Sequence, residues 1–579
     1  MRSAALGFGV GSQPVRTATG PVRVLNTATM QPAPETFHVY DTTLRDGAQQ
    51  EGLRLSVADK FKIARHLDEL GVHYIEGGWP GANPNDTEFF ARAAAGELQL
   101  NNAELVAFGA TRRVDGKAAD DRLVAALRES RAPIACLVAK SHDRHVELAL
   151  RTTLAENLAM VADTVSHLVA EGQRVFLDCE HFFDGYRANP GYALEVVRTA
   201  AEAGAEVVVL CDTNGGMLPS WMHDVVGAAS EIGVDLGIHC HNDSGCAVAN
   251  SIAAVEAGAM HVQGTVNGYG ERTGNADLVS VVANLQLKFG WSLVPEEALA
   301  EATRICHAIG AVTNVAGSTR QPYTGASAFA HKAGLHASAI RVDPDLYQHI
   351  DPAVVGNDMR TLVSDMAGRA NIQLKGEELG FDLSDRALAA RITDVVKARE
   401  AKGYSYEAAD ASFELLLRDE TGVLERPFDV ESWRVLTSTQ GGQSLTEATV
   451  RLTVGERTKA YVGEGNGPVN ALDHALREAL VAEFEAATSF ELTDYRVRIL
   501  DQGHGTDASV RVLIDTTDGQ RGWTTVGVGV NVVEASWEAL SDAYLYGLIK
   551  ANAAPRRDAA GSRADAPAPV AAGATGAAS

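Results

Sequence analysis

Apolar positions between residues 37 and 268 follow two alternating rhythms. Short runs rich in Val, Ile and aromatic residues recur: "FHVYD" (37–41), "YIEGG" (74–78), "ELVAFGA" (104–110), "IACLVAK" (134–140), "VFLDCEHF" (175–182), "EVVVLCDT" (206–213), "LGIHCHND" (236–243) and "HVQGTVNG" (261–268). Between them lie stretches with apolar residues at helical spacing, among them "SVADKFKIARHLDELG", "TLAENLAMVADTVSHLVAEG" and "NPGYALEVVRTAAEAG". Ser56 stands as an N-cap of the first, and each of the three ends at a glycine, as a C-cap would. Eight strand–helix units in about 250 residues predict a (β/α)8 TIM barrel. The competing doubly wound sheet would carry a glycine-rich phosphate loop after its first strand; this chain has "DTTLRDG" there.

The pattern changes twice after the barrel, which is assigned to residues 36–291. Residues 292–407 read as helical linker subdomains, with "LVSDMAGRANI" and "DRALAARITDVVKAREAKG" as clear helical stretches. Residues 408–552 mix alternating strands with helices and predict a C-terminal α+β domain. Residues 1–35, with no acid before Glu35, and the Ala/Pro/Gly-rich 553–579 are expected to be disordered tails.

A length of 579 residues fits this multi-domain reading. Acids outnumber bases by 75 to 50, a net charge of −25, which argues against nucleic-acid partners. The six cysteines form no paired framework and read as buried free thiols of a reducing compartment. No apolar run reaches the ~18 residues that span a bilayer, and the N-terminus lacks a secretion-signal pattern. The expectation is a cytoplasmic protein without membrane partners.

In a barrel of this kind the active site forms at the C-terminal ends of the strands. Polar residues collect there: Asp41, Arg45 and Asp46 around the end of strand 1, Glu76 on strand 2, Asp178 and Glu180 on strand 5, Asp212 and Thr213 on strand 6, His239 and His241 on strand 7, and the turn "NGYGERTGN" after strand 8. Residues i and i+2 of a strand share a face, so the two imidazoles leave together. With Asp46 and the amide oxygen of Asn275 they supply two nitrogens and two oxygens, a set suited to a divalent cation with open positions rather than to a closed thiolate zinc site. Mn, Mg, Zn and Co all suit such donors.

"YDTTLRDGAQQEG", "HCHNDSGCAVANS" and "GTVNGYGERTGNADL" resemble the signatures of the 2-oxoacid/acetyl-CoA condensing enzymes, which comprise the 2-isopropylmalate, homocitrate and citramalate synthases and share a metal-dependent barrel superfamily with hydroxymethylglutaryl-CoA lyase. The resemblance runs from about residue 37 to residue 550. It implies metal binding by Asp46, His239, His241 and Asn275, and stabilisation of charge on the ketone oxygen by Arg45. It also implies Thr213 on the substrate carboxylate and Glu180 beside the reacting acetyl group. In "SAFAHKAGLHASAIRVDPDLYQHIDPAVVGN" (327–357) His336 matches a catalytic histidine and Tyr347 a catalytic tyrosine; in relatives this segment serves the neighbouring subunit, which implies a homodimer. The base that takes the acetyl methyl proton stays open between His336 and Glu180, with a bound water as a further route. Residues 408–552 resemble the family's regulatory domain, which binds an amino-acid effector, and "GEGNGPVNA" reads as a strand-to-helix loop within it.

The stretches "EGGWPGANPND" and "DCEHFFDGYRANPGY" resemble the long bacterial citramalate branch. That implies acetyl-CoA and pyruvate as substrates, (R)-citramalate and CoA as products, a place in isoleucine biosynthesis, and isoleucine as the effector. A 2-isopropylmalate or homocitrate synthase is the alternative within the family. A non-catalytic amino-acid sensor on a dead barrel is the alternative of another class, and it should have lost a metal ligand.

Overall fold

The computed structural model describes residues 31–32, 37–315, 317–340, 342–362, 369–407, 409–441, 443–500 and 508–556. The expected tails therefore lie outside the described residues, except at two places: Gln31–Pro32, which pairs in parallel with Trp291–Ser292, and residues 553–556.

Eight parallel strands close a barrel in sequence order: β1 (His38–Asp41), β2 (Tyr74–Gly78), β3 (Glu104–Ala110), β4 (Ile134–Lys140), β5 (Arg174–Glu180), β6 (Val207–Asp212), β7 (Asp235–Cys240) and β8 (His261–Gly264). Eight helices follow them: α1 (Val57–Leu70), α2 (Pro84–Ala94), α3 (Arg122–Glu129), α4 (Leu154–Ala170), α5 (Pro190–Glu202), α6 (Pro219–Ser230), α7 (Ala247–Glu256) and α8 (Leu278–Leu287). α1 begins as its sequence dictates: Ser56 Oγ accepts from Asp59 N at 3.2 Å while Asp59 Oδ2 accepts from Ser56 N at 3.1 Å. Gly71, Gly172 and Gly204, with φ of 84°, 92° and 102°, turn the chain out of α1, α4 and α5.

Strand alternation sorts the barrel's two cores. Outward residues such as Val39, Ile75, Leu177, Ile238 and Val262 pack under the helices. Inward residues Tyr40, Tyr74, Phe108, Cys136, Phe176 and Val209 fill the lumen. Gly237 lies opposite His261 in the β7–β8 register, and a Cβ there would press on the His261 ring and Val209, so this inward position admits only glycine beside the imidazole. Several predicted strands run longer in sequence than in structure, β7 and β8 by the most at their C-terminal ends. β7 ends at Cys240: the ladder to β6 closes with His241 N donating to Asp212 O, and Asn242 N beyond it donates to Gly274 O. β8 stops at Gly264, and the 3-10 turn Val266–Gly268 follows.

The chain divides into two compact units, residues 1–330 with 345–360 and residues 331–344 with 361–579. These divisions fall inside the segment expected as linker. The first unit also holds α9 (Ala302–Thr313). The second holds α10 (Gly334–Ile340), α11 (Arg369–Glu378), α12 (Arg386–Ala401) and α13 (Asp410–Glu420). Ile372, Ile392, Tyr406 and Phe413 share a core there.

The rest of the second unit is a repeat that the sequence reading missed. Antiparallel β9 (Asp429–Gln440), β10 (Gln443–Val454) and β11 (Arg457–Gly465) lead into α14 (Pro468–Glu483). β12 (Glu491–Ile499), β13 (Val510–Thr517) and β14 (Gly522–Gly529) lead likewise into α15 (Val532–Lys550). At a constant offset Gly463 matches Gly527, Gly465 matches Gly529, and Ala471, Ala475 and Leu476 match Ala535, Ala539 and Leu540. A Cβ on Gly463 would collide with the backbone of α14 at Ala475, and one on Gly527 with that of α15 at Ala535. Each helix thus lies directly on its last strand. "GEGNGPVNA" is the strand-to-helix passage of the first copy.

Candidate metal centre and active site

The barrel's C-terminal mouth gathers the predicted metal ligands. β7 delivers His239, and the first residue beyond it is His241; their Nε2 atoms are 3.3 Å apart. Asp46, in the loop after β1, sets Oδ2 4.0 Å from His239 Nε2 and Oδ1 4.0 Å from His241 Nε2. Asn275 meets His241 in an isolated bridge, and its Nδ2 donates to Asp46 Oδ1 at 2.8 Å. All four residues are buried. Asn275 Oδ1 has no hydrogen-bond partner, an unusual state for a buried amide oxygen and one that a cation would relieve. Burial and the neighbouring His239 push the His241 imidazole down to about 4, which keeps it neutral and able to ligate. Burial alone would raise the Asp46 carboxyl, but Arg45 and the two histidines hold it well below the usual carboxylate range. Two imidazole nitrogens, a carboxylate and an amide oxygen without a partner among the described residues are a donor set that would suit a divalent cation.

Arg45 is fixed beside this group. Its Nε donates to Glu76 Oε2 and its Nη1 to Asp46 Oδ2, both at 2.7 Å, and its guanidinium lies 3.8 Å from the centre of the Phe108 ring. Burial works against its charge; Glu76 and Asp46 outweigh that and raise it further above its ordinary range. Fully buried Glu76 also accepts from the hydroxyls of Tyr40 (2.7 Å) and Thr42. Trp79 packs edge-on to Phe108 at 5.3 Å, and its backbone N donates to Asp86 Oδ2. Arg45, Lys60 and Trp79 line a cavity of about 410 Å³ at this side of the mouth.

The other expected residues are spread more widely. Thr213, just past β6, accepts through Oγ1 from His181 N at 2.8 Å, while its carbonyl accepts from Arg272 Nη2. Glu180 ends β5 in an ion pair with Lys140 of β4. His336 lies on α10 in the second unit, 6.2 Å from His331 between ring centres. Tyr347 follows the 3-10 turn Pro344–Leu346 in the first unit and is 38% exposed. Sequence reasoning missed Gln263, whose Oε1 lies 2.8 Å from His239 Nδ1. Its alternation with His261 on "HVQG" was the available signal. It also missed Lys140, which carries no pattern beyond its place at a strand end. The six cysteines are free, and all but Cys246 are buried, as their apolar settings suggested. Among the described residues no helix is long and apolar enough to cross a membrane.

Three family models match the chain in succession. "HMGL-like" covers residues 36–305, "Homocitrate synthase post-HMGL domain-like" residues 323–403, and "LeuA allosteric (dimerisation) domain" residues 407–548. Fold and sequence thus place residues 36–305 in the HMGL-like barrel class, with a buried group that could hold a divalent cation. The (R)-citramalate synthase of Streptomyces coelicolor is 64% identical over 90% of this chain and 98% of the relative. That of Aquifex aeolicus is 47% identical over 89% and 98%, and that of Synechocystis sp. 48% over 88% and 96%. The chain belongs to the (R)-citramalate synthase family, whose members are condensing enzymes of the acyltransferase type.

Proposed function

We propose that the chain condenses acetyl-CoA with pyruvate to give (R)-citramalate and CoA. The reading is carried by one observation: a chain 64% identical to an (R)-citramalate synthase over nearly its whole length retains the buried Asp46–His239–His241 group with Arg45 locked beside it. Asp46, His239, His241 and Asn275 would hold a divalent cation, Mn, Mg, Zn or Co. When bound, that cation supplies Lewis acidity toward the carboxylate and ketone oxygens of the 2-oxoacid. Arg45 then faces the oxygen on which negative charge develops, and its fixed fork needs no reorganisation at that moment. Thr213 offers a hydroxyl to the substrate carboxylate.

A base, Glu180 or His336, takes a proton from the acetyl methyl group. The electron pair left on that carbon forms the bond to C2 of pyruvate, the ketone oxygen gains a proton, and water then hydrolyses the thioester to release CoA. Lys140 holds the Glu180 carboxylate at the mouth. Tyr347 is the tyrosine that the family resemblance assigns to the catalytic segment. The Trp79–Phe108 pair bounds the side-chain space and favours a methyl over a branched substituent; steric exclusion of a larger group discriminates more strongly than the ~1–3 kcal/mol of one missing methylene. The C-terminal repeat serves as a dimerising regulatory domain with isoleucine as effector, in a cytoplasmic homodimer of isoleucine biosynthesis.

The test is CoA release from acetyl-CoA, followed with a thiol reagent, for pyruvate, 2-oxoisovalerate and 2-oxoglutarate with and without EDTA. Metal-dependent release with pyruvate alone is expected. Preference for 2-oxoisovalerate would move the substrate to that of an isopropylmalate synthase. No release with any oxoacid after metal is restored would sink condensation and bring the sensor reading forward.

A further inference from the structure

Below the metal-binding group a line of polar side chains crosses the barrel lumen with no part in the chemistry above. His239 directs Nε2 toward Asp46 and His241; its other nitrogen, Nδ1, lies 2.8 Å from Gln263 Oε1. Gln263 Nε2 donates in turn to Asp178 Oδ1 at 3.0 Å, and that oxygen also accepts from the Cys136 thiol at 3.3 Å. His239 and Gln263 are register partners on β7 and β8, and both point inward. Gln263 and Asp178 are buried.

A side-chain amide can present either end to a neighbour, and an imidazole can carry its proton on either nitrogen. The Asp178 carboxylate removes the first freedom. It only accepts, so it draws the Gln263 NH2 toward itself and leaves the amide oxygen facing His239. An amide oxygen also only accepts, which calls for a proton on Nδ1 and leaves Nε2 as the nitrogen turned toward His241 and Asp46. His241 has no such device, since its Nδ1 is buried without a partner.

We propose that Gln263 is a positioning residue: anchored by Asp178, it fixes the tautomer and orientation of His239 and so prepares the site for a divalent cation. The proposal rests on the reading of Asp46, His239 and His241 as metal ligands. Partners behind a ligating histidine commonly change metal affinity 10–100-fold when removed.

The test uses the full chain stripped with EDTA and titrated with Mn2+, the free aquo ion being followed by its EPR signal. Gln263→Leu removes both hydrogen bonds. Gln263→Glu keeps an acceptor for His239 Nδ1–H, and the one proton that two carboxylates this close must share replaces the amide donor toward Asp178. Far-UV circular dichroism establishes that each variant is folded. Q263L is expected to weaken Mn2+ binding ~10–100-fold, and Q263E to stay within about threefold of the parent. A folded Q263L that binds like the parent, or a Q263E weakened as much as Q263L, overturns the proposal. If Q263L does not fold, Q263E decides alone: binding within about threefold supports the relay, and a loss of about tenfold or more overturns it. A parent protein that binds no Mn2+ overturns the metal centre itself, a result distinct from equal binding by parent and variant.

Discussion

The barrel and the C-terminal repeat fill their inward positions in opposite ways. On β2, β5 and β7 the inward residues become polar toward the C-terminal ends, Glu76 after Tyr74, Asp178 after Phe176 and His239 after Gly237, and on β8 both inward residues, His261 and Gln263, are polar. In the repeat, β10 buries Ala448, Val450 and Leu452, and β13 buries Val512 and Ile514, all against the Ala and Leu faces of α14 and α15. A buried carboxylate or imidazole costs several kcal/mol unless it is paired and hydrogen-bonded. The barrel meets that cost with a connected network, Tyr40 and Thr42 to Glu76, Glu76 to Arg45, Arg45 to Asp46. The repeat fills its inward strand positions by apolar packing and close backbone approach, and keeps its buried carboxylates to α14, where Asp473 is bonded by Tyr544 and Glu483 is paired with Arg457 and Lys459. One region is therefore sensitive to changes of charge, the other to changes of shape.

Asp46→Asn strikes hardest at the first half of that contrast. It removes the anion that contacts Arg45 and faces the two imidazoles while keeping the volume. CoA release is expected to fall about 10³-fold, roughly 4 kcal/mol of transition-state stabilisation, with no recovery on adding metal. A loss below tenfold in the steady-state assay would mean that the polar mouth is not the reaction centre.

Glu76→Gln tests the network one step further from the donors. Arg45 keeps a neutral acceptor but loses the charge that counters its burial, and a guanidinium displaced by ~1 Å costs about 10²-fold. The drop should fall on kcat, with KM for acetyl-CoA little changed. A change in KM alone would separate Glu76 from the positioning of Arg45.

For the second half, Gly527→Val drives a branched side chain into the backbone of α15 at Ala535. Overpacking of this kind costs about 1–3 kcal/mol. Hydrogen exchange read by peptide should show faster exchange in β14 and α15 and unchanged protection in the barrel strands. Equal loosening of both would erase the distinction between the two regions.

These differences also explain what could be read from the chain. The barrel was legible because period-2 strands alternated with helical stretches, and because polar residues stood at strand ends where apolar ones were due. Asp46, Asn275 and the His239–His241 pair were read from that pattern, whereas the roles of Arg45, Thr213, Glu180, His336 and Tyr347 came from the family resemblance. Gln263 escaped because a single buried amide has no signature until its partners on two other strands are known. The repeat escaped for a different reason: its matching positions are Gly, Ala and Leu, residues common everywhere, and the duplication becomes visible only when β11 and β14 are both seen to run into helices. Glu180 and Thr213 were found by position, but Lys140 and the His181 backbone, which hold them, lie on neighbouring strand ends that no local spacing connects.

His261 offers the subtlest test, because it is an inward polar residue of the barrel with no network. It is fully buried, neither ring nitrogen has a hydrogen-bond partner, and it lies among His38, Tyr40, Tyr74 and Phe176. Burial, reinforced by His38 and His73, pushes its pKa well below the ordinary 6.5; burial lowers His38 and His73 as well. In the unfolded chain these imidazoles titrate near 6.5. Below that pH the unfolded state therefore binds protons that the folded state excludes, and stability is lost as pH falls from about 6.5 toward the folded values; above about 6.5 the effect is absent. His261→Met keeps the volume and removes the two unsatisfied nitrogens. It should stabilise the barrel by about 1 kcal/mol at pH 7.5, since an unpartnered buried polar group costs ~1–3 kcal/mol and repacking offsets part of the gain. The gain should be larger at pH 5, where proton binding by the unfolded parent also lowers the parent's stability. Urea midpoints of parent and variant at the two pH values measure both effects. A variant no more stable than the parent at pH 5 would mean that His261 is satisfied in solution, and that the barrel tolerates no inward polar group without partners.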